Sequence, residues 1–128
     1  MPEPPAIAII DDDAFVRAST SRLVRSLGYT AYTFASAAEF LESGRLNDAS
    51  CIISDVRMPG MSGIELHAHL VSHGHRVPFV FITAFPEQAG LERAVEAGAI
   101  GLLTKPFDGA SLIACLDTAL GRDGGTST

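Results

Sequence analysis

Three aspartates stand side by side near the start of the chain, where an apolar run ends. Residues Ala6–Phe15 read AIAIIDDDAF, so Asp11, Asp12 and Asp13 directly follow five apolar residues. Neighbouring carboxylates repel one another, and without a counter-ion their pKa values rise. A hard divalent cation relieves this repulsion, since Mg²⁺ prefers oxygen ligands and is held by a few carboxylates and several waters. The run is therefore a candidate metal site.

Three further apolar runs also end in side chains that can do chemistry. CIISD ends at Asp55, FVFIT at Thr83 and GLLTK at Lys105. An aspartate can act as a nucleophile, and lysine is a point-charge partner for phosphate oxygens. With a divalent cation to offset charge on the transferring group, this set of residue types indicates phosphoryl transfer.

The strands that would position these residues are visible as short apolar runs. Four nearly continuous runs, typical of strands buried on both faces of a parallel sheet, are Ala6–Ile10, Cys51–Ile53, Pro78–Ile82 and Ile100–Leu103. The more polar stretch Thr30–Phe34 predicts an edge strand. Five strands are therefore expected.

Helical patterns fill the gaps between these strands. Asp13 is a favoured N-cap for the first helix, whose apolar face is expected to comprise Phe15, Val16, Leu23, Val24 and Leu27, with a stop at Gly28. The pairs Ser36/Glu39 and Ser62/Glu65 have the capping-box form and predict two more helix starts. Residues 87–97 and 109–120 predict the last two helices.

This alternation predicts an α/β fold, with an open parallel sheet and helices on both faces. Functional crevices in such sheets lie at the carboxyl ends of the strands. Asp11, Asp12, Asp55, Thr83 and Lys105 are therefore expected to converge on one crevice.

Composition narrows the class of protein. At 128 residues and 47% hydrophobic content, one domain over residues 1–121 is expected, with a flexible tail or linker stub over 122–128. The net charge of -6 argues against direct nucleic-acid binding. No apolar run approaches the roughly 20 residues of a membrane span, and no signal peptide is evident.

Cys51 and Cys115 lie in apolar stretches and are expected to be buried thiols. A cytoplasmic location is expected.

Four segments together resemble a known family. IIDDDAFVR, IISDVRMPGMSGIEL, FVFITA and LLTKPF resemble the successive motifs of response-regulator receiver domains, over about Ile7 to Leu120. SDVRMPGMSGIEL is the most specific segment, and it resembles the receivers of nitrogen-fixation-type transcription regulators. The resemblance implies a flavodoxin-like (βα)5 fold with strand order 2-1-3-4-5.

The resemblance also implies a phospho-acceptor in a two-component phosphorelay. Asp55 would accept a phosphoryl group from a sensor histidine kinase or a phosphotransfer protein. The metal, Mg²⁺ or Mn²⁺, would be held by Asp55, by Asp12 directly, by Asp11 largely through water and by the backbone carbonyl of Arg57. Such a chain is no enzyme in the ordinary sense, because it catalyses only its own phosphorylation and dephosphorylation.

Further residues receive roles by the same resemblance. Thr83 would hydrogen-bond the phosphoryl oxygens, and Lys105 would pair with the phosphoryl group. In the family the bond between the lysine and the following proline, here Pro106, is typically cis. Pro59 and Gly63 would shape the loop after the acceptor.

One position departs from the family pattern. Many receivers have Tyr or Phe three residues before the lysine, as the partner of the threonine in a conformational switch. Here that position is Leu102, so Thr83 and Leu102 form the expected switch pair without an aromatic ring. Phe85 is a hypothetical substitute for the ring, and Pro86 is expected to stiffen the loop after it.

The conformational change would be read on the face of the fourth helix, fifth strand and fifth helix. This face would control a partner, an output domain or a homodimer, with no direct contact of this chain to nucleic acid or membrane.

Two alternative functions remain open. A haloacid-dehalogenase-like phosphohydrolase also begins with Asp-x-Asp but needs a late acidic pair, and here only scattered acids follow Lys105. A phosphorylation-independent interaction module is compatible with Leu102.

Four histidines follow the acceptor motif: His67, His69, His73 and His75. His69 and His73 would share a helix face. No cysteine or acid completes a transition-metal ligand set, so a solvated helix end is expected.

Overall fold

Strands and helices alternate along the chain in the computed structural model, which describes residues 4–85 and 90–121. The elements in these ranges are β1 Ala6–Ile10, α1 Ala14–Ser26, β2 Thr30–Phe34, α2 Ala37–Glu42, β3 Cys51–Asp55, α3 Gly63–Ser72, β4 Phe79–Thr83, α4 Leu91–Glu96, β5 Gly101–Thr104 and α5 Gly109–Ala119. A short 3-10 turn, Leu46–Asp48, precedes β3. None of these helices has the length and apolarity needed to cross a membrane.

All five strands are parallel, in the order β2-β1-β3-β4-β5. The predicted strand order and fold class are confirmed. Asp55 is paired in register with Ile82, and Thr83 with Thr104. Because the strands are parallel, their carboxyl ends form one edge of the sheet, and the side chains that follow them are neighbours there.

Helices cover both faces of the sheet, as expected. On one face α1 and α5 pack against alternate strand residues, and this core contains Ile7, Ile9, Val24, Cys51, Ile53, Val80, Ile82, Leu103, Leu112 and Leu116. On the other face α2, α3 and α4 pack against the remaining residues, and this core contains Ala8, Ile10, Phe34, Phe40, Ile52, Leu66, Leu70, Phe79, Phe81 and Leu91. Burial on both faces explains why the strands are apolar throughout.

The prediction that the fifth strand is buried on both faces is wrong. Strand β5 spans Gly101–Thr104 and lies at the edge of the sheet, where it pairs only with β4. Leu103 points into the core beside α5, whereas Leu102 and Ile100 are exposed. No strand lies on the outer side of β5 in this sheet. The side chains on one face of β5 are therefore less completely covered.

The expected apolar face of the first helix also needs one correction. Val24 is fully buried, but the side chain of Phe15 is 80% exposed. Phe15 lies in the first turn of α1, on the side that faces Pro106 and Phe107 and away from the sheet. Its apolar ring therefore lines a surface groove.

Capping interactions begin the helices where the sequence places them. Asp13 accepts hydrogen bonds from the backbone N–H groups of Phe15 and Val16. The Ser62/Glu65 capping box is complete. Ser36 caps α2, but the Glu39 carboxylate accepts from the Ala35 N–H instead of the Ser36 N–H, so that box is shifted by one residue.

Two predicted segments extend beyond what the structure describes. Helix α4 covers Leu91–Glu96 and begins after Gly90, whose φ is 90°. The earlier part of the predicted helix, residues 87–89, and Pro86 lie outside the described residues, as does the predicted tail, 122–128.

The expectation of a solvated helix end fails for His67. This residue is only 6% exposed, and its ring packs edge-on against Phe79 and Phe81, at centroid distances of 5.0 and 5.7 Å. It lies on the same inward face of α3 as Leu70. The ring centroids of His69, which is half-buried, and His73, which is exposed, lie 4.3 Å apart, so the two residues share a helix face as expected.

Candidate functional site

Three carboxylates meet at the carboxyl edge of the sheet. Asp11 and Asp12 directly follow β1, and Asp55 is the last residue of β3. One oxygen from each of the three lies within 4.8 Å of the others. Asp11 and Asp55 are buried, whereas Asp12 is exposed. The fold therefore brings residues 44 positions apart in sequence into a single acidic pocket.

Lys105 is the cation of this pocket. Its Nζ lies 3.2 Å from Asp11 Oδ2 and 3.3 Å from Asp55 Oδ2. The Lys105 backbone N–H donates to the Thr83 carbonyl at 2.7 Å, which holds the residue against the end of β4. The bond to Pro106 is cis, as the resemblance implied.

Burial and charge shift the protonation equilibria in the pocket. Burial, followed by the charge of Asp11, raises the pKa of Asp55 to about 6, and Lys105 opposes this rise. Burial by itself would lower the pKa of Lys105, but the carboxylates of Asp11 and Asp55 outweigh it and raise that pKa. One ammonium thus faces three carboxylates, which leaves an excess of negative charge.

The donor set suits a hard divalent cation. Asp11 Oδ2 is buried and makes no hydrogen bond within the described part of the chain, although the Lys105 ammonium forms an ion pair with it. A buried carboxylate oxygen without a hydrogen bond is costly. Three carboxylate oxygens in this arrangement match the oxygen ligands that Mg²⁺ takes, so these residues fit the predicted metal.

Thr83 lies beside Asp55, but its hydroxyl group contacts its own loop. It is buried at the end of β4, one residue beyond Ile82, which is the register partner of Asp55. Its hydroxyl oxygen accepts a hydrogen bond from the Phe85 backbone N–H at 2.9 Å. Its conformation is therefore coupled to the loop that follows β4.

One contact between two loops near the acidic pocket was not predicted from the sequence. The Arg57 guanidinium lies 4.8 Å from the centroid of the Phe85 ring, in cation–π geometry. The predicted role of Arg57 was confined to its carbonyl, which remains a prediction. The contact joins the loops after β3 and β4. Its only indication in the sequence is that Arg57 and Phe85 each lie two residues after the end of a strand.

The loop after Asp55 depends on a glycine. A Cβ built on Gly63 would collide with the backbone carbonyl of Asp55. The Gly63 N–H donates to the Val56 carbonyl at 2.8 Å, so the start of α3 is held directly against the end of β3. The predicted shaping role of Gly63 thus has a steric basis, whereas nothing comparable is seen for Pro59.

Leu102, the other expected switch residue, lies away from the acidic pocket. It pairs in register with Phe81 in the middle of β4. Its side chain is 36% exposed, so it is neither a core residue nor part of the carboxylate cluster.

An apolar groove of about 550 Å³ adjoins the pocket at Lys105. Its walls include Phe15 and Leu23 from α1, and Pro106 and Phe107 from the loop before α5. The groove was not predicted from the sequence, because Phe15 was expected to lie on the buried apolar face of α1.

Comparison with known proteins agrees with this geometry. The response regulator receiver domain family matches residues 7–117. The transcriptional regulatory protein FixJ of Azorhizobium caulinodans is 40% identical over 95% of this chain and 58% of its own length. The response regulator protein TmoT of Ectopseudomonas mendocina is 40% identical over 89% of this chain and 52% of its own length.

A solved structure gives the same result in three dimensions. The response regulator StyR superposes with a TM-score of 0.85 at 40% identity, over 94% of this chain and 61% of that chain. The chain thus spans a little over half the length of the curated relatives it matches. The family match covers most of the sequence, and the acidic residues lie together at the carboxyl edge of the sheet. This chain therefore belongs to the family of response regulator receiver domains.

Proposed function

We propose that this chain accepts a phosphoryl group on Asp55 and signals by the conformational change that follows. Receiver domains are phospho-acceptors that histidine kinases phosphorylate. The observation that carries the proposal is the meeting of the Asp11, Asp12 and Asp55 oxygens beside the Lys105 ammonium. A cytoplasmic location and a two-component phosphorelay are part of the proposal.

The chemistry is a nucleophilic displacement at phosphorus. A carboxylate oxygen of Asp55 forms the new P–O bond as the P–N bond to the donor histidine breaks, and the electron pair leaves with the imidazole nitrogen. The acceptor must be ionised for this step. The raised pKa of Asp55, about 6, still leaves most of the group as carboxylate at neutral pH.

A Mg²⁺ or Mn²⁺ ion, when bound, would offset negative charge on the transferring group. Asp11, Asp12, Asp55 and the Arg57 carbonyl are the residues proposed to hold it. Lys105, already 3.3 Å from Asp55 Oδ2, would exchange part of its pairing with Asp11 for the new phosphoryl oxygens.

The switch is proposed to run through Thr83. When its hydroxyl donates to a phosphoryl oxygen, its geometry toward the Phe85 N–H changes, and the Phe85 ring carries the change to Arg57. Phe85 thus takes part of the role of the missing aromatic ring at Leu102. Solving the free and phosphate-mimic states and finding one unchanged Phe85 rotamer would refute this step.

The groove beside Lys105 is proposed as the docking surface for the kinase or phosphotransfer protein. The exposed Phe15 ring offers an apolar anchor next to the acceptor. Phe15→Ala should slow transfer from a phosphorylated kinase that labels the wild type, yet leave labelling by acetyl phosphate unchanged. Val71→Ala, also exposed but at the other end of the fold, is the matched control. If Phe15→Ala slowed labelling equally with the kinase and with acetyl phosphate, Phe15 would be required for folding instead of docking.

The decisive experiment is intact-mass measurement after incubation with acetyl phosphate. One phosphoryl group should be added in the presence of Mg²⁺, none in EDTA, and none in Asp55→Asn. No gain under conditions that label another receiver would refute the proposal, and a gain that persists in Asp55→Asn would mean a different acceptor. Multiple turnover on small phosphate esters would instead favour a phosphohydrolase.

The output is proposed to pass through the face formed by α4, β5 and α5, to a partner, an output domain or a second copy. FixJ is a transcriptional regulatory protein, and the match covers 58% of FixJ and 52% of TmoT, which supports an output domain. Phosphorylation-dependent dimerisation, measured by light scattering with and without acetyl phosphate, distinguishes a homodimer from the other two outputs.

A further inference from the structure

A cavity of about 460 Å³ opens at the amino end of the sheet, opposite the acidic pocket. It lies between the end of α3, the segment leading into β4 and the connection from α4 to β5. Its volume is within the range of pockets that hold small organic molecules. None of the proposed signalling steps uses it.

The polar groups of this cavity are basic or titratable. His67, His75 and Arg76 line it, and no acidic residue is among the lining residues that the structure describes. Arg76 is exposed and forms no ion pair with a carboxylate in the ranges 4–85 and 90–121. In a chain of net charge -6, an unpaired guanidinium forms a local site for an anion.

Apolar side chains form the rest of the wall. Val71 and Ile100 are 48% and 40% exposed, and both line the cavity, from α3 and from the residue just before β5 respectively. Leu70 and Val77 lie behind them. Exposed apolar groups that face one cavity, with a few polar groups at its rim, are typical of a small-molecule site.

The buried imidazole adds a polar group inside the cavity. His67 is 6% exposed, and its ring contacts in the described structure are with Phe79 and Phe81. Burial lowers its pKa, so at neutral pH the ring is uncharged, with one nitrogen a donor and the other an acceptor. The uncharged ring adds no positive charge, so the Arg76 guanidinium is the group of this wall that would orient an anionic ligand.

From these observations we propose that the cavity binds a small organic carboxylate with an apolar body. The carboxylate pairs with the Arg76 guanidinium, whose planar fork matches a carboxylate. The apolar body packs against the Val71 and Ile100 side chains. A transition metal is a poorer fit, because no acid or cysteine lines the cavity to complete a ligand set.

The test is an NMR titration of the full chain with benzoate, in parallel with the uncharged isostere benzamide. Benzoate should give saturable shifts confined to residues 67–79 and 97–100. Benzamide should bind about tenfold more weakly, since a charge-assisted hydrogen bond is lost.

Arg76→Gln should weaken benzoate binding by about tenfold, whereas Arg93→Gln, which removes an exposed arginine outside the cavity, should leave it unchanged. Val71→Asp should abolish binding. Asp55→Asn should leave binding intact, so the outcome is independent of the proposed phosphorylation. Absence of saturable benzoate shifts, equal binding of benzamide, or unchanged binding in Arg76→Gln would each overturn the proposal.

Discussion

The Arg57 guanidinium lies over the Phe85 ring, 4.8 Å from its centroid, and so joins the loops that follow β3 and β4. Arg57 comes two residues after Asp55, and Phe85 two residues after Thr83. A movement of Thr83 would therefore reach this contact through the hydrogen bond between the Phe85 N–H and the Thr83 hydroxyl oxygen. Phe85 is 47% exposed, so the interaction is only partly shielded from water.

A double-mutant cycle should detect this contact. Arg57→Ala and Phe85→Ala are expected to show a coupling of about 0.5–1 kcal/mol in the free energy of unfolding, the range for exposed cation–π pairs. Urea denaturation of the four proteins gives the value. The cycle of Arg57→Ala with Phe15→Ala, where the ring is on α1, should give no coupling. A coupling that is the same in both cycles would show that the contact does not form in solution.

The raised pKa of Asp55 predicts a specific pH dependence in the absence of metal. The folded carboxyl has a pKa of about 6, against 3.8 as its ordinary value. Between about pH 4 and 6 the native state binds more protons than the unfolded state, so stability falls as pH rises through this window. Urea denaturation in EDTA should show this decline.

Asp55→Asn should remove that decline and stabilise the protein at pH 7 by about 1–3 kcal/mol in EDTA. In the wild type, Mg²⁺ should restore stability at pH 7, because it offsets the same repulsion. Stability in EDTA that rises from pH 4 to 6 in the wild type would contradict the assignment.

The three consecutive aspartates should respond differently to mutation. Asp12→Asn should abolish Mg²⁺-dependent labelling by acetyl phosphate, whereas Asp13→Asn should largely preserve it, because asparagine caps a helix as well as aspartate does. Asp13→Ala should lower the free energy of unfolding by about 1 kcal/mol. Intact mass and urea denaturation measure the two effects. Equal loss of labelling in Asp12→Asn and Asp13→Asn would refute this division of roles.

Gly63→Ala should destabilise the fold by about 2 kcal/mol or more, because the new methyl group collides with the Asp55 carbonyl. Gly109→Ala is the matched control, since a Cβ there lies 3.7 Å from Leu23, an ordinary contact, and both glycines begin helices. Thermal and urea unfolding give the comparison. A Gly63→Ala protein as stable as the Gly109→Ala protein would mean that the start of α3 shifts without cost.

Much of the architecture follows from local patterns. The apolar runs, the Asp13 cap and the Ser62/Glu65 capping box each favour one local conformation, and the alternation of strand and helix then limits the fold to a parallel sheet. The predictions were wrong for residues whose burial depends on elements far away in the sequence. Phe15 and Leu102 are apolar, but whether an apolar residue is covered depends on elements far away in sequence.

The sequence by itself determined which acidic, hydroxyl and basic residues stand at the carboxyl ends of the strands. Only the tertiary structure decided that Asp11 and Asp55 share one lysine, that Thr83 is bonded to the Phe85 N–H, and that His67 is buried. The physical reason is the distance along the sequence between the groups that interact. Helix caps and strand patterns depend on neighbours a few residues away, whereas charge pairing, ring stacking and burial depend on side chains that only the packing of the sheet and helices brings together.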